Sequence, residues 1–363
     1  MIYLRDSAAG IIKMRIFTKV ILMAVVLLSA SCSGKKDSPF VPGAKTVVHE
    51  KPAYSGTLSP VGLIESDGLM GTIGLTAKVG NVLILPISGD FKYRAFNLES
   101  KTALFDFLMS GRGPDEDTGY LFSQSICEDD SSYMDVLGLN TNKIYRLDLK
   151  KTIEERTAVV ADRYPLPAFA GPALVVGDNV VSTVFFDEDI CSLKIRAIND
   201  TLLSKTVPLF GAKPDITSVY PLFASVQRQR PDGSKIAIAM TRMDKIHLYD
   251  MVGDNHITIK TSPTILTEAE MVRKAQKEMS MYFFPCYPYI EVTDEAIYAL
   301  HQSDDPEKGT HPTLRVFDWE GNYLAEYQLN EPITRILCRD KESMIYGHSL
   351  YTENIYIYQL PTL

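Results

Sequence analysis

Ile246-His247-Leu248-Tyr249-Asp250 is the clearest of six copies of one five-residue unit. Residues 93–97 (YRAFN), 144–148 (IYRLD), 195–199 (IRAIN), 314–318 (LRVFD) and 355–359 (IYIYQ) read the same way. Each has apolar side chains at the first, third and usually fourth places and closes on a polar turn former or amide, the pattern of a half-buried strand entering a tight turn. The closing residues Asn97, Asp148, Asn199 and Asp250 follow one another at intervals of 51, and the next steps, to Asp318 and Gln359, are 68 and 41. A fixed period near 50 with several short strands per period is that of a β-propeller, whose blades bury their faces only by stacking around an axis.

Working outward from each unit, an inner strand lies upstream of it and itself follows a polar turn. Residues 79–85, 179–186, 235–241, 296–300 and 344–347 are these strands, and an outer strand follows, as in 323–329 (YLAEYQL). The sequence therefore specifies an all-β, six-bladed propeller of four-stranded antiparallel blades filling residues 45–363. The last copy lacks an outer strand after it, and residues 45–50 (KTVVHE) alternate as a strand, so the N-terminal strand is expected to close the ring beside the C-terminal one. Successive strands alternate direction, which puts second-to-third and blade-to-blade connections on one face. That face receives the long loops at 111–120, 210–223, 261–288 and 303–312, whereas turns on the other face are expected to be short. Long loops on a rigid scaffold carry binding residues, so the first face is the expected working face. The 68-residue interval places its extra length in 261–288, where Thr267-Glu268-Ala269-Glu270 forms a capping box and 268–281 predicts a helix between blades four and five.

The first 31 residues differ from the rest. A basic stretch (residues 13–19, KMRIFTK) leads into nine apolar residues (20–28), too short to span a bilayer as a helix and built like a secretory signal; Met14 is a plausible start, which makes 1–13 an extension. Ser29-Ala30-Ser31-Cys32 resembles the lipobox of bacterial lipoproteins, with Cys32 as the lipid attachment site and residues 32–44 as a tether. Ser33 after that cysteine fits sorting to the outer membrane by the same resemblance. Cys127, Cys191, Cys286 and Cys338 are too widely spaced for a zinc pattern and read as buried small hydrophobes. The net charge of −8 excludes a nucleic-acid or anionic-membrane surface, leaving contact with the membrane to a lipid anchor.

Gly111-Arg112-Gly113-Pro114-Asp115-Glu116 is the most unusual short motif. Its glycines allow close backbone approach, and Arg112 could fork onto a carboxylate or phosphate, or simply pin a blade-connecting turn to an acid. Asp115, Glu116 and Asp117, with 187–189 and 304–305, are acidic enough for calcium but lack the spacing of a calcium loop, so no cofactor is expected, with calcium as the alternative. An outer strand running into G-R-G-P-D-E, a helix before Tyr282-Phe283-Phe284-Pro285, and residues 294–300 (DEAIYAL) look like the TolB-like six-bladed propeller lipoproteins of Gram-negative anaerobes. That resemblance covers about residues 45–363 and implies the fold and export, but no activity.

His301 and His348 end equivalent strands of neighbouring blades with His311 on the loop between; three imidazoles would suit zinc, although scattered histidines more usually pack apart. Tyr220, Tyr282, Phe284 and Tyr351 complete the expected binding face with Arg112, Asp115 and Glu116. No glycosidase pair or Ser-His-Asp order can be assigned. The reading is a lipid-anchored cell-envelope module that binds or scaffolds an envelope protein or glycan without catalysis. The alternative is a calcium-dependent hydrolase or lactonase at the central channel.

Overall fold

The computed structural model describes residues 44–65, 74–113, 116–127, 132–166, 170–184, 192–199, 204–209, 224–261, 286–302, 311–339 and 343–361. Three short strands open the ring: β1 (Lys45–Val48), β2 (Tyr54–Leu58) and β3 (Gly62–Ile64). Blade one is then β4 (Ala77–Val79), β5 (Val82–Pro86), β6 (Phe91–Asn97) and β7 (Thr102–Met109). Blade two is β8 (Tyr120–Cys127), β9 (Ser132–Gly138), β10 (Lys143–Asp148) and β11 (Val160–Pro165). Blade three is β12 (Ala170–Val176), β13 (Asn179–Val184), β14 (Ser192–Ala197) and β15 (Ser204–Pro208). Blade four is β16 (Ser225–Gln229), β17 (Lys235–Met240), β18 (Ile246–Asp250) and β19 (His256–Lys260). Blade five is β20 (Tyr289–Val292), β21 (Ala296–His301), β22 (Thr313–Asp318) and β23 (Tyr323–Leu329), and β24 (Arg335–Arg339), β25 (Met344–His348) and β26 (Ile355–Gln359) begin blade six.

Every copy of the repeated unit lies in the third strand of its blade. In four of the six copies the closing side-chain oxygen accepts backbone N–H groups of the residues that follow. Asn97 Oδ1 takes Glu99 N and Ser100 N, Asp250 Oδ1 takes Val252 N and Gly253 N, and Asp318 Oδ1 takes Glu320 N and Asn322 N. Asp148 does the same with a different outcome. Its Oδ1 accepts Lys151 N at 3.0 Å and caps a helix, α1 (Leu149–Glu155), so the connection from β10 to β11 is not the short turn expected on that face. Arginines within the unit pair across to a neighbouring strand: Arg94 to Asp106, Arg146 to Asp135 and Arg315 to Glu326.

Stacking supplies the core. Six apolar clusters lie one at each boundary between neighbouring blades, and alternation sends successive residues of one strand to opposite neighbours. Ile236, Ile238 and Met240 of β17 face blade three, while Ala237 and Ala239 face blade five. Trp319, buried between blades four and five, donates its indole N–H to Thr293 O at 3.0 Å.

Ring closure corrects the sequence reading. The strand that completes blade six is β3, antiparallel to β26 through Ile64↔Ile355, not the 45–50 segment. β1 instead lies parallel to β19 as a fifth strand of blade four, and β2 lies parallel to β23 as a fifth strand of blade five. The N-terminal stretch thus laces the outsides of two blades before closing the third. The helix expected at 268–281, between blades four and five, lies outside the described residues.

Candidate functional site

First strands of all six blades begin on the face of the blade-to-blade connections, and residues at or just before their starts enclose a cavity of about 370 Å³ on the ring axis. Blade four contributes most to its chemistry, because β16 carries Ser225, Gln227 and Arg228 into it. Arg228 is 5% exposed; its Nε donates to Glu291 Oε1 at 3.1 Å and its Nη1 to Ser123 O and Gln227 O at 3.0 and 2.8 Å. Burial opposes its charge, but Tyr289 and Glu291 overcome that and raise its pKa above the usual value.

Tyr289 is shared by two cations. Its ring centroid lies 5.0 Å from the Arg228 guanidinium carbon and 5.1 Å from that of Arg335, which reaches the cavity from blade six. Burial pushes the phenol up to about 12 against the pull of both guanidiniums. Lys92, at the start of β6, is the third cation of the lining. No described lining residue is Asp or Glu. With Arg228 already paired to Glu291, Arg335 and Lys92 give this aromatic mouth its positive charge, on a chain whose net charge is −8.

The G-R-G-P-D-E motif sits on the same side, joining β7 to β8, and its described part is an architectural joint. Glu116 Oε2 accepts Gly113 N at 2.9 Å, and that carboxylate folds back over Gly111, so a side chain there would have to displace it. The neighbouring Asp117, 1% exposed, ties this connection to residues 139–142 of the next loop. It accepts Gly119 N at 2.9 Å, Asn140 N at 3.1 Å, Asn140 Nδ2 at 3.0 Å, and Thr141 N and Oγ1 at 2.8 Å each. Burial alone would raise this carboxyl; the bonds from Gly119, Thr141 and Asn140 win and lower it to about 2. Arg112 is exposed on the turn.

The remaining sequence candidates are dispersed. Tyr351 is 64% exposed on the loop from β25 to β26. His301 packs edge-on against Tyr287, and burial, then Arg315, pushes its imidazole down to about 3. His348 is fully buried, and burial, then Arg335, lowers it to about 4. His311 is exposed and its carbonyl accepts Gln328 Nε2 at 3.2 Å. These three histidines do not converge, and among the described residues no group of three His, Cys, Asp or Glu is placed to hold a metal. Asp115, Tyr220, Tyr282 and Phe284 lie outside the described residues, as does Cys32. Cys286 and Cys338 are buried and Cys127 is half-buried, while Cys191 is also outside the described residues.

Arg228, Arg335, Lys92 and Tyr289 were not among the sequence candidates. For Arg228 alone a local signal exists, the polar and charged run SVQRQR at residues 225–230 in a first strand; Arg335, Lys92 and Tyr289 have none.

No family model and no curated protein matches the chain. Among solved structures it is similar to the "Putative exported protein" of Bacteroides fragilis, with TM-score 0.52, 12% identity, and 84% of this chain and 88% of that one covered. A member of the DUF4221 family from Bacteroides vulgatus follows at TM-score 0.49 and 9% identity, covering 84% of this chain and 95% of that one. At such identities the likeness is one of fold.

Proposed function

We propose that the protein is a non-catalytic binding or scaffold module of the cell envelope, held by a lipid on Cys32, which engages an envelope protein or glycan through its axial mouth. The lining carries this reading: three cations and buried aromatic rings surround the cavity, and none of its described residues is a carboxylate. A calcium-dependent hydrolase would want converging oxygen donors there instead. Six exposed large apolar residues, Phe91, Met109, Leu121, Leu139, Leu350 and Tyr351, belong to the same face on blades six, one and two. The basic, apolar and small-residue leader ending at Cys32 supports export and an outer-membrane anchor, and the likeness to an exported protein agrees with it.

Photo-crosslinkers at Leu121 and Tyr351, compared with one at Val252 on the opposite face, test the site in living cells. Crosslinks to one envelope component from the first two positions only are expected. Equal labelling from Val252 overturns the assignment. Cys32→Ser is expected to release the protein from the membrane fraction, and retention would overturn the lipid anchor.

A further inference from the structure

Solvent reaches only part of the wall of the axial cavity, and that part differs in chemistry from the buried polar residues behind it. Pro86, Tyr120, Phe122, Val226 and Pro288 are half-buried and Leu121 is 54% exposed, so the accessible wall is mainly apolar. Two half-buried cations interrupt it, Lys92 and Arg335. Arg228 takes no part, being 5% exposed and ion-paired to Glu291. An incoming molecule therefore meets hydrocarbon and positive charge.

Both cations keep donors in hand. Lys92 Nζ donates to Gly89 O and Arg335 Nη1 to Thr334 O, each at 3.2 Å, and neither side chain is ion-paired among the described residues. They stand on the same side of the mouth: a Cβ at Gly74 would lie 3.3 Å from Pro86 Cγ and 3.5 Å from Arg335 Cγ, and Pro86 pairs with Tyr93, next to Lys92. A sugar uses such a site poorly, because its hydroxyls would lose water against Pro86, Leu121 and Phe122 without gaining partners. A small inorganic anion leaves the apolar wall wet. An apolar group that carries a carboxylate answers both features, and one of benzyl size fits about 370 Å³.

We propose that the axial mouth binds an apolar carboxylic acid, with its carboxylate on Arg335 and Lys92 and its hydrocarbon against Leu121, Phe122 and Pro288. This rests on the reading of the mouth as a binding site and names its ligand class. The same chemistry is found in a free aryl or acyl acid and at the C-terminus of a protein that ends in an apolar residue.

The test is a ligand-observed NMR titration of the full chain with N-acetyl-L-phenylalanine. Its controls are N-acetyl-L-phenylalaninamide, which lacks the charge, acetate, which lacks the hydrocarbon, and D-glucuronate, which replaces hydrocarbon with hydroxyls. The acid is expected to bind at least about tenfold tighter than each control, the factor for one charge-assisted bond or one buried apolar group. Arg335→Gln should weaken the acid about tenfold and Lys92→Gln several-fold, both leaving the amide unchanged. Lys92→Gln decides alone where Arg335→Gln fails to fold. A hexapeptide that ends in phenylalanine with a free carboxylate identifies the source: binding as tight as the acetylated residue points to a protein chain end, and binding of the small acid alone points to a free acid. Equal affinity for acid and amide, or for acid and glucuronate, overturns the proposal, as does no binding of the acid or full affinity in Lys92→Gln. Any of these results alongside specific crosslinking from Leu121 leaves the module reading standing. Chemical conversion of a probe in the same samples would sink the non-catalytic reading instead.

Discussion

Asp117→Ala should cost the ring about 3 kcal/mol, and the figure follows from what the carboxylate holds. Its two oxygens accept three backbone N–H groups, of Gly119, Asn140 and Thr141, along with the Asn140 amide and the Thr141 hydroxyl. Each buried donor left without a partner costs on the order of 1–3 kcal/mol. The loop lies at the surface, where water reaches part of the vacated space, so the low end applies to each of the three backbone groups. Unfolding entropy near 2.1 cal/mol/K per residue, over a ring of roughly 320 residues, is about 0.7 kcal/mol/K, which turns that loss into a melting-temperature drop of about 4–5 °C. The pH dependence gives an independent check. The carboxyl moves from 3.8 to about 2 on folding, so the folded state binds the proton less tightly. Its stabilisation is complete above about pH 4 and disappears as pH falls through 2, and the gap between wild type and variant should narrow over that span. Calorimetry and urea titration from pH 7 to 3 read both quantities. A loss under about 1 kcal/mol at pH 7, or a gap independent of pH, would refute the account of this joint as a carboxylate-held clasp.

Chains beginning at residue 60 and at residue 66 should behave differently: the first loses only β1 and β2 and stays folded and unaggregated with a lower melting temperature, whereas the second lacks β3, exposes the edge of β26 and aggregates. Size-exclusion chromatography distinguishes them, and matching profiles would refute the role of β3 as the closing strand. His348 is held neutral in the fold, with its imidazole at about 4 against 6.5 when unfolded, so its contribution is present above pH 6.5 and is lost as pH falls from there toward 4. His348→Phe should make the fall in melting temperature between pH 7 and 4.5 shallower by about one proton; parallel curves would exclude that role.

The repeat was legible because the copies meet similar demands: a largely buried third strand, then in most of them a turn whose N–H groups need an acceptor. Asn97, Asp250 and Asp318 carry that signal in one letter, and Asp148 carries it equally well into a helix that the turn pattern does not reveal. Partner choice was less visible. Alternation in residues 45–50 says strand, but a fifth strand on blade four and a fourth on blade six need the same pattern, and the true closing strand, Gly62–Ile64, is too short to show any. The mouth was hidden for a related reason. Its cations are drawn from blades one, four and six, so no local window holds them together, and only the ring brings Arg228 and Arg335 to one tyrosine.

The lacing of the N-terminal stretch has a mechanical consequence. A pull on the chain ahead of residue 44 meets β1 first, four residues zipped alongside Ile257 to Lys260, and then β2 on the next blade. Only after both have peeled does tension reach β3, the joint that keeps the circle shut. Two outer laths act as strain relief, as a cable clamp protects a solder point, so the cavity on the axis keeps its shape while the lead is tugged.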